Sequence, residues 1–205
     1  MSSIADLENC AESHLREYMK PSGAFAFNTY DRLYASSKAL TPLDCFAPNL
    51  LSLSLRHIHV IPLFQDGSGA PAALPAAMQR VLDETTPDEP TFSGMTTIDD
   101  GPLQLIRDAN LRTEAVRQWT VVTVSKVLHR LRPRLVPVYD SLVRGFYGVS
   151  NNPLSFYRKL HADMRANRNL LAELVSEKFT PDDRPLSDLR ALDIVIWHHQ
   201  KFPCG

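Results

Sequence analysis

Polar side chains that can do chemistry are concentrated between residues 119 and 144. Lys126 and His129 are three residues apart, which places them on the same side of a helix. Two prolines then end that helix and present Tyr139 and Asp140 after a turn. An amine, an imidazole, a phenol and a carboxylate in one place can move protons or attack an electrophilic carbon. We predict Lys126, His129, Tyr139 and Asp140 as the catalytic residues.

The same stretch also has a structural explanation. Trp119 and Leu128 belong to an apolar framework, so several neighbouring polar groups must point inward with them. A buried lysine or aspartate needs a partner. Lys126–Asp140 is one such pair, and Asp140–Arg144 is the local alternative. In this alternative the motif is a buried polar network that specifies the fold, and function lies elsewhere.

Further polar and aromatic residues could line a pocket beside this motif. Tyr30, Asp31 and Asp44 are candidates for its wall, although acidic residues in such positions also serve as helix caps or turn residues. The residues predicted to bind a ligand are Trp119, Ser125, Arg130, Arg132, Arg144, Tyr30, Asp31 and Asp44.

The charge of the 205-residue chain is unevenly distributed. A net charge of -1 excludes a globally basic nucleic-acid coat protein. Residues 66–108 contain eight acids and two bases, whereas residues 112–168 contain eleven bases and three acids. The basic segment 112–168 could therefore bind nucleic acid or a phosphate-bearing small molecule. The alternative is that the two halves neutralise each other through internal salt links and solvated helix faces.

The three cysteines, Cys10, Cys45 and Cys204, are widely separated and form no CxxC motif. We therefore predict reduced thiols, as in a cytoplasmic protein, with Cys45 in the core. The acidic N-terminal residues do not resemble an export signal. No apolar run reaches the roughly 18 residues that a membrane span requires, so we predict no membrane association.

Neither a metal nor a cofactor is predicted. His57 and His59 would share one face of a strand, but no third ligand at a standard spacing completes the pair. His198 and His199 are adjacent and would diverge on a helix. The sequence also contains no glycine-rich phosphate-binding loop.

The elements that must position these residues are mostly helices. We predict a mainly α fold, a single compact bundle-like domain over residues 1–205 with about seven to nine helices. Thr41, Pro42 and Asp44 form a helix-start signal. At most one or two short strands are expected near 57–64, and flexible loops near 65–72 and 85–97. The predicted helices cover about 4–20, 41–55, 74–84, 97–133 with a break near Asn110, 140–147, 153–167, 169–179 and 186–199.

Residues 125–141, together with Tyr30-Asp31, the segment 41–51 and the segment 189–197, resemble a bacterial family of unknown function, DUF6308, common in actinobacteria. The similarity extends over most of the chain. It implies a mainly helical cytosolic protein and brings no established activity with it.

The order of Lys126 and Asp140 in a basic helical segment is also similar to helix-hairpin-helix DNA glycosylases. In those enzymes a lysine attacks the sugar carbon and an aspartate supports the positive charge that develops there. This chain departs from the pattern, because no glycine occurs between Gly101 and Gly145 to form the hairpin. The sequence thus leaves two functions open: a module that binds a phosphate-bearing partner, and an enzyme acting on a small or nucleotide-like molecule.

Overall fold

Side-chain caps determine where several helices begin. The Thr41 hydroxyl accepts the backbone N–H of Asp44 at 3.3 Å, and the Asp44 carboxylate accepts the N–H of Thr41 at 3.0 Å. This capping box, with Pro42 in the first helical position, is the predicted helix start. Asp140 caps the helix that follows it in the same way, by accepting the N–H of Leu142. Local sequence signals therefore place both acids at helix N-termini.

The structure, a computed structural model, describes residues 2–32, 38–65, 70–98 and 101–204. It confirms a mainly α fold. The described residues form eleven α-helices, more than predicted because several are only one turn long. These are α1 (Glu8–Tyr18), α2 (Phe27–Tyr30), α3 (Pro42–Phe46), α4 (His57–Val60), α5 (Ala70–Asp83), α6 (Pro102–Arg112), α7 (Val121–Leu131), α8 (Ser141–Phe146), α9 (Pro153–Ala166), α10 (Arg168–Val175) and α11 (Asp188–Lys201).

Two helices, α7 and α11, lie at the centre of the molecule. Every residue in 123–131 and in 189–196 is buried, so neither helix has a solvent face over these residues. Helices α1, α8 and α10 pack against α11, and α5 packs along α6. Because α7 and α11 also contain charged residues, those charges must be paired inside the protein.

Several predicted elements differ from the observed ones. The strand predicted near 57–64 is wrong, because this run forms α4 and a 3₁₀ turn over Ile61–Phe64. A short apolar run suits either conformation, and only a neighbouring strand could have selected the extended one. The helix from Thr41 stops at Phe46, since Pro48 converts its continuation into a 3₁₀ turn over Ala47–Leu51.

The helical segment predicted over 97–133 is broken once, as predicted, but the break follows Arg112 and extends to Thr120. The chain leaves α6 through a 3₁₀ turn over Thr113–Ala115, and Gln118 has a positive φ of 68° before α7 begins. Asp99 and Asp100, predicted at the start of the first helix, lie outside the described residues, as do residues 66–69 of the loop predicted over 65–72. The prediction is wrong for residues 70–72, which belong to α5. The loop predicted over 85–97 contains no helix.

The prediction of three reduced thiols is wrong for two of them. Cys10 and Cys204 form a disulfide, although 194 residues separate them in sequence. Cys45 is buried in the core as predicted, and burial raises the pKa of its thiol. In the part of the chain that the structure describes, none of the helices has the length and apolar character that a bilayer-spanning segment needs.

Arg132, at the end of α7, secures the end of α5. Its guanidinium donates to the carbonyl oxygens of Leu82 and Thr85 at 2.7 and 3.0 Å and to the Thr85 hydroxyl at 2.8 Å. It also donates to the carbonyl of Leu131 at 2.7 Å. Carbonyls at the end of a helix lack partners within the helix, and this side chain supplies them.

We predict that Arg132→Met lowers the free energy of unfolding by about 3 kcal/mol or more, because it leaves several buried carbonyl oxygens without a donor. Urea unfolding monitored by circular dichroism measures this change. The matched control is Arg165→Met at an exposed position of α9, which should change the free energy by less than about 0.5 kcal/mol. Equal effects of the two substitutions would contradict the role of Arg132.

Candidate functional site

Two cavities lie on either side of Arg190. The first, called the Lys126 cavity, has a volume of about 710 Å³. Its lining includes Tyr18, Phe25, Lys126, Asp140, Arg190, Asp193 and Trp197. The second, called the arginine cavity, has a volume of about 580 Å³. Both volumes fall in the range of small-molecule sites.

Lys126 and Asp140 face each other in the Lys126 cavity. The ammonium of Lys126 lies 3.5 Å from Oδ2 of Asp140 and donates to the carbonyl of Leu51 at 2.9 Å. The other carboxylate oxygen of Asp140 accepts the N–H of Leu142 at 2.9 Å. Of the two partners considered for Asp140, the structure therefore selects Lys126. The Lys126 side chain is 6% exposed and that of Asp140 is 17% exposed, so Asp140 is the more accessible member of the pair.

A second set of charges forms the wall between the cavities. Nε and Nη2 of Arg190 donate to the two carboxylate oxygens of Asp31 at 2.8 and 2.7 Å. Nη1 of Arg190 donates to Asp193. The guanidinium carbon also lies 5.6 Å from the ring centre of Tyr18 and 5.4 Å from that of Tyr30. Arg190 is thus held by two carboxylates and two aromatic rings.

The pKa of Asp193 is shifted from the ordinary value of an aspartate. Burial raises the pKa of Asp193 to about 6; the Arg190 guanidinium opposes the shift and the Asp140 carboxylate adds to it. In the ion pairs around the Lys126 cavity and its wall, the carboxylates Asp31, Asp140 and Asp193 outnumber the cations Lys126 and Arg190 by one. Lys201 also lines the cavity, over the ring of Trp197. With a pKa of about 6, Asp193 can exchange a proton near neutral pH.

Aromatic rings form another side of the Lys126 cavity. Tyr18 and Phe25 are stacked, with ring centres 5.0 Å apart, and Trp197 meets both rings edge-on at 5.8 and 6.0 Å. Such a wall offers flat apolar surface beside the charged groups. The cavity therefore combines a surface suited to a planar ring with an amine and two carboxylates.

His129 and Tyr139 do not line the Lys126 cavity. His129 is fully buried, and its Nδ1 lies 2.7 Å from the carbonyl oxygen of Val136. Burial lowers the pKa of His129 to about 3, with the charge of Arg190 adding to the shift, so the imidazole is neutral. The Tyr139 hydroxyl donates to the carbonyl of Ser150 at 3.3 Å, and the Arg144 guanidinium lies over its ring.

The arginine cavity contains three other predicted residues, Tyr30, Asp31 and Arg130, together with one edge of His129. Arg130 donates to Asp44 at 2.7 Å, and Nε of Arg130 is buried without a hydrogen-bond partner. The charged residues that line this cavity are Arg32, Arg130, Arg134, Arg184, Arg190, Asp31, Asp88 and Asp182.

The remaining predicted ligand-binding residues line neither cavity and have partners within the chain. The Trp119 indole donates to the carbonyl of His59 at 2.9 Å. The Ser125 hydroxyl donates to the carbonyl of Val122 and accepts the N–H of Tyr139, both at 2.9 Å. Arg144 donates to Asn151 and to the carbonyl of Ser150. Arg132 and Asp44 have the contacts described above.

Internal contacts also engage much of the basic segment. At least seven of its eleven bases interact with groups within the chain, namely Arg112, Lys126, Arg130, Arg132, Arg144, Arg158 and Lys159. Part of the positive charge that the sequence concentrates in 112–168 therefore holds the fold together. Of the ion pairs formed by Arg112, Lys126 and Arg130, only Arg112–Asp108 joins this segment to the acidic segment 66–108, so these contacts do not show the two segments neutralising each other.

Sequence reasoning missed Arg190 and Asp193 as site residues. Both lie in a stretch of α11 that is otherwise apolar, and the apolar neighbours alone suggested a core helix. The sequence did contain a signal for both residues. Two opposite charges three residues apart in an otherwise apolar stretch of a helix must be buried together.

Donor atoms suited to a metal converge away from both cavities. They belong to Cys10, His14, His199 and Cys204, where α1 meets the end of α11. The adjacent histidines do not diverge as predicted, because the rings of His198 and His199 both lie beside His14, with ring centres 4.9 and 5.5 Å from that of His14. Nδ1 of His198 contacts His14, and Nδ1 of His199 contacts the sulfur of Cys204.

Comparison with known proteins identifies a family to which no function has been assigned. No curated protein and no solved structure matches the chain. A model of a family of unknown function, DUF6308, matches residues 11–200, which include both cavities and the central helices α7 and α11. The chain therefore belongs to the DUF6308 family.

Proposed function

We propose that the chain is an enzyme that hydrolyses the bond between a sugar carbon and a ring nitrogen in a small nucleoside-like molecule. The observation that carries this proposal is that Lys126, Asp140 and Asp193 line one cavity. Two carboxylates with different surroundings are the usual means of cleaving a bond at a sugar carbon. The aromatic side of the cavity, formed by Tyr18, Phe25 and Trp197, is suited to stacking the flat base.

Each polar group has a role in this reaction. Asp193 in its protonated form donates a proton to the leaving ring nitrogen as the bond to the sugar carbon breaks. The Asp140 carboxylate supports the positive charge on the sugar. Water then forms the new bond to that carbon, and Asp140 takes up the proton that the water releases. Transfer of this proton through solvent to Asp193 restores the starting state, and Lys126 keeps Asp140 in position.

The first test is hydrolysis of a panel of purine and pyrimidine nucleosides, with the free base measured by chromatography. We predict that the protein releases base from at least one of them, and that Asp140→Asn lowers kcat/KM by about 1,000-fold because an amide cannot support the charge. Asp108→Asn is the matched control, since Asp108 pairs with Arg80 and Arg112 outside both cavities. It should leave turnover unchanged.

Absence of turnover on the whole panel would contradict the substrate class. Equal turnover by Asp140→Asn and the wild-type protein would contradict the assigned role of Asp140. Circular dichroism of each variant confirms that the compared proteins are folded.

A second prediction concerns stability and pH. The folded-state pKa of Asp193 is about 6, above the ordinary aspartate value of about 4. The folded protein therefore binds this proton more tightly, and the resulting stabilisation is complete below about pH 4 and lost as the pH rises through about 6. The free energy of unfolding of the wild-type protein minus that of Asp193→Asn should fall by about 2 kcal/mol between pH 4 and pH 7.

Urea unfolding of both proteins at several pH values measures this difference, in which contributions of other acids common to the two proteins cancel. A difference that stays constant, or that increases with pH, would show that Asp193 does not hold a proton in the folded state.

The arginine cavity supports a second candidate function, the binding of a phosphate-bearing small molecule. Five arginines and three aspartates line this cavity, and Asp44 and Asp193 behind the wall also pair with Arg130 and Arg190. The cations that an anion could bind are therefore Arg32 and Arg134, to which the described part of the chain gives no ion pair. Arg130 and Arg134 come from the basic segment for which the sequence suggested phosphate binding. The volume of about 580 Å³ fits a small ligand, whereas nucleic acid would need an extended basic surface.

Titration calorimetry with inorganic phosphate tests this second function. We predict binding that weakens with added salt, and an affinity about tenfold or more lower for Arg134→Ala, because a charged hydrogen-bond donor is lost. Arg165→Ala removes an equal charge from an exposed site on α9 and should leave the affinity unchanged. The same loss in both variants would indicate a general charge effect and contradict a site in the cavity.

A further inference from the structure

Four metal-ligating side chains meet where α1 packs against the end of α11. Cys10 and His14 are four residues apart on α1, so both project from the same face. His199 lies in the last turn of α11, and Cys204 follows that helix. The four ligand atoms all lie within 4.8 Å of one another.

The spacing of these atoms approaches that of a metal site. Nε2 of His14 lies 3.0 Å from the sulfur of Cys204, and Nδ1 of His199 lies 3.3 Å from the same sulfur. In a tetrahedral zinc site, ligand atoms are roughly 3.3–3.8 Å apart, as bond lengths of about 2.3 Å to sulfur and about 2.0 Å to nitrogen require. A disulfide alone needs no imidazole, yet two ring nitrogens converge on its sulfur here.

The second nitrogen of His14 is also held. Its Nδ1 lies 2.8 Å from Nδ1 of His198. Histidines that bind metals through one nitrogen almost always donate a hydrogen bond through the other, which fixes their tautomer and orientation. With Nε2 of His14 directed at Cys204, a proton on Nδ1 donated to His198 gives this arrangement.

We propose that Cys10, His14, His199 and Cys204 bind one Zn²⁺ ion when the two cysteines are reduced. Two sulfur and two nitrogen donors are the set that tetrahedral zinc prefers, and four protein ligands leave no open position for substrate. The ion therefore has a structural role, connecting α1 to the end of α11. Cys10 and Cys204 lie just outside the residues that match the family model, so family membership does not assign this site.

The oxidised and metal-bound forms are related by a balanced exchange. A dithiol reductant supplies two electrons and two protons, which cleave the Cys10–Cys204 bond into two thiols while the reductant closes its own disulfide. Binding of Zn²⁺ to the two sulfurs then releases both thiol protons to solvent, and the imidazoles bind in their neutral form. The disulfide and the zinc ion thus occupy the same position as alternatives.

The full chain, reduced with a dithiol that is then removed without air, is titrated with Co²⁺ and then with Zn²⁺. We predict the strong visible absorption of tetrahedral cobalt bound to thiolates, saturating at one equivalent and lost on addition of one equivalent of Zn²⁺. The oxidised protein should show no such absorption, because its sulfurs are bonded to each other.

Single substitutions locate the site. Cys204→Ser and His14→Gln should each weaken zinc binding by more than 100-fold, and His198→Gln, which only positions His14, by about 10- to 100-fold. Cys45→Ser removes the free cysteine of the core and should leave binding unchanged. Absence of tetrahedral cobalt absorption in the reduced wild-type protein would overturn the proposal. So would retention of full affinity in Cys204→Ser, with circular dichroism confirming that the protein is folded.

Discussion

The ion pair between Arg190 and Asp31 is the interaction on which the rest of the structure depends. Arg190 lies on α11, where every residue over 189–196 is buried, so its charge must be paired inside the protein. The bidentate contact with Asp31, 159 residues earlier, satisfies the guanidinium and joins the segment after α2 to the centre of the fold. Loss of Arg190 would leave the buried carboxylates of Asp31 and Asp193 without their shared cation, which costs far more than the intact contacts contribute.

The same interaction sets the chemistry of the two cavities. Because Asp31 already neutralises Arg190, Asp193 shares that guanidinium without a cation of its own. Lys126 is likewise paired with Asp140. Within these ion pairs the third carboxylate, Asp193, shares Arg190 with Asp31, and a proton can neutralise it at the edge of the Lys126 cavity. The buried ion pairs of Arg190 thus place a titratable group, Asp193, where a ligand could contact it.

Local signals were sufficient for some of this structure and long-range contacts account for the rest. The Thr41 capping box and the Asp140 cap depend on residues two or three apart. The prolines that end α7 bring Asp140 back toward Lys126. All three features could therefore be predicted from neighbouring residues in the sequence. The Cys10–Cys204 bond and the Asp31–Arg190 pair join distant parts of the chain and leave no local periodicity. The strand predicted over 57–64 was wrong for a related reason, because only a neighbouring strand, distant in sequence, could have stabilised an extended conformation there.

A functional role for this cavity requires that Lys126 border the water inside it and not be part of a sealed structural network. The free energy of unfolding of Lys126→Met, compared with that of the wild-type protein, distinguishes these two arrangements. In a cavity, water can replace the ammonium at Asp140 and at the carbonyl of Leu51, so we predict a loss of no more than about 1 kcal/mol. A loss of about 3–5 kcal/mol, typical of removing one partner from a sealed ion pair, would contradict it.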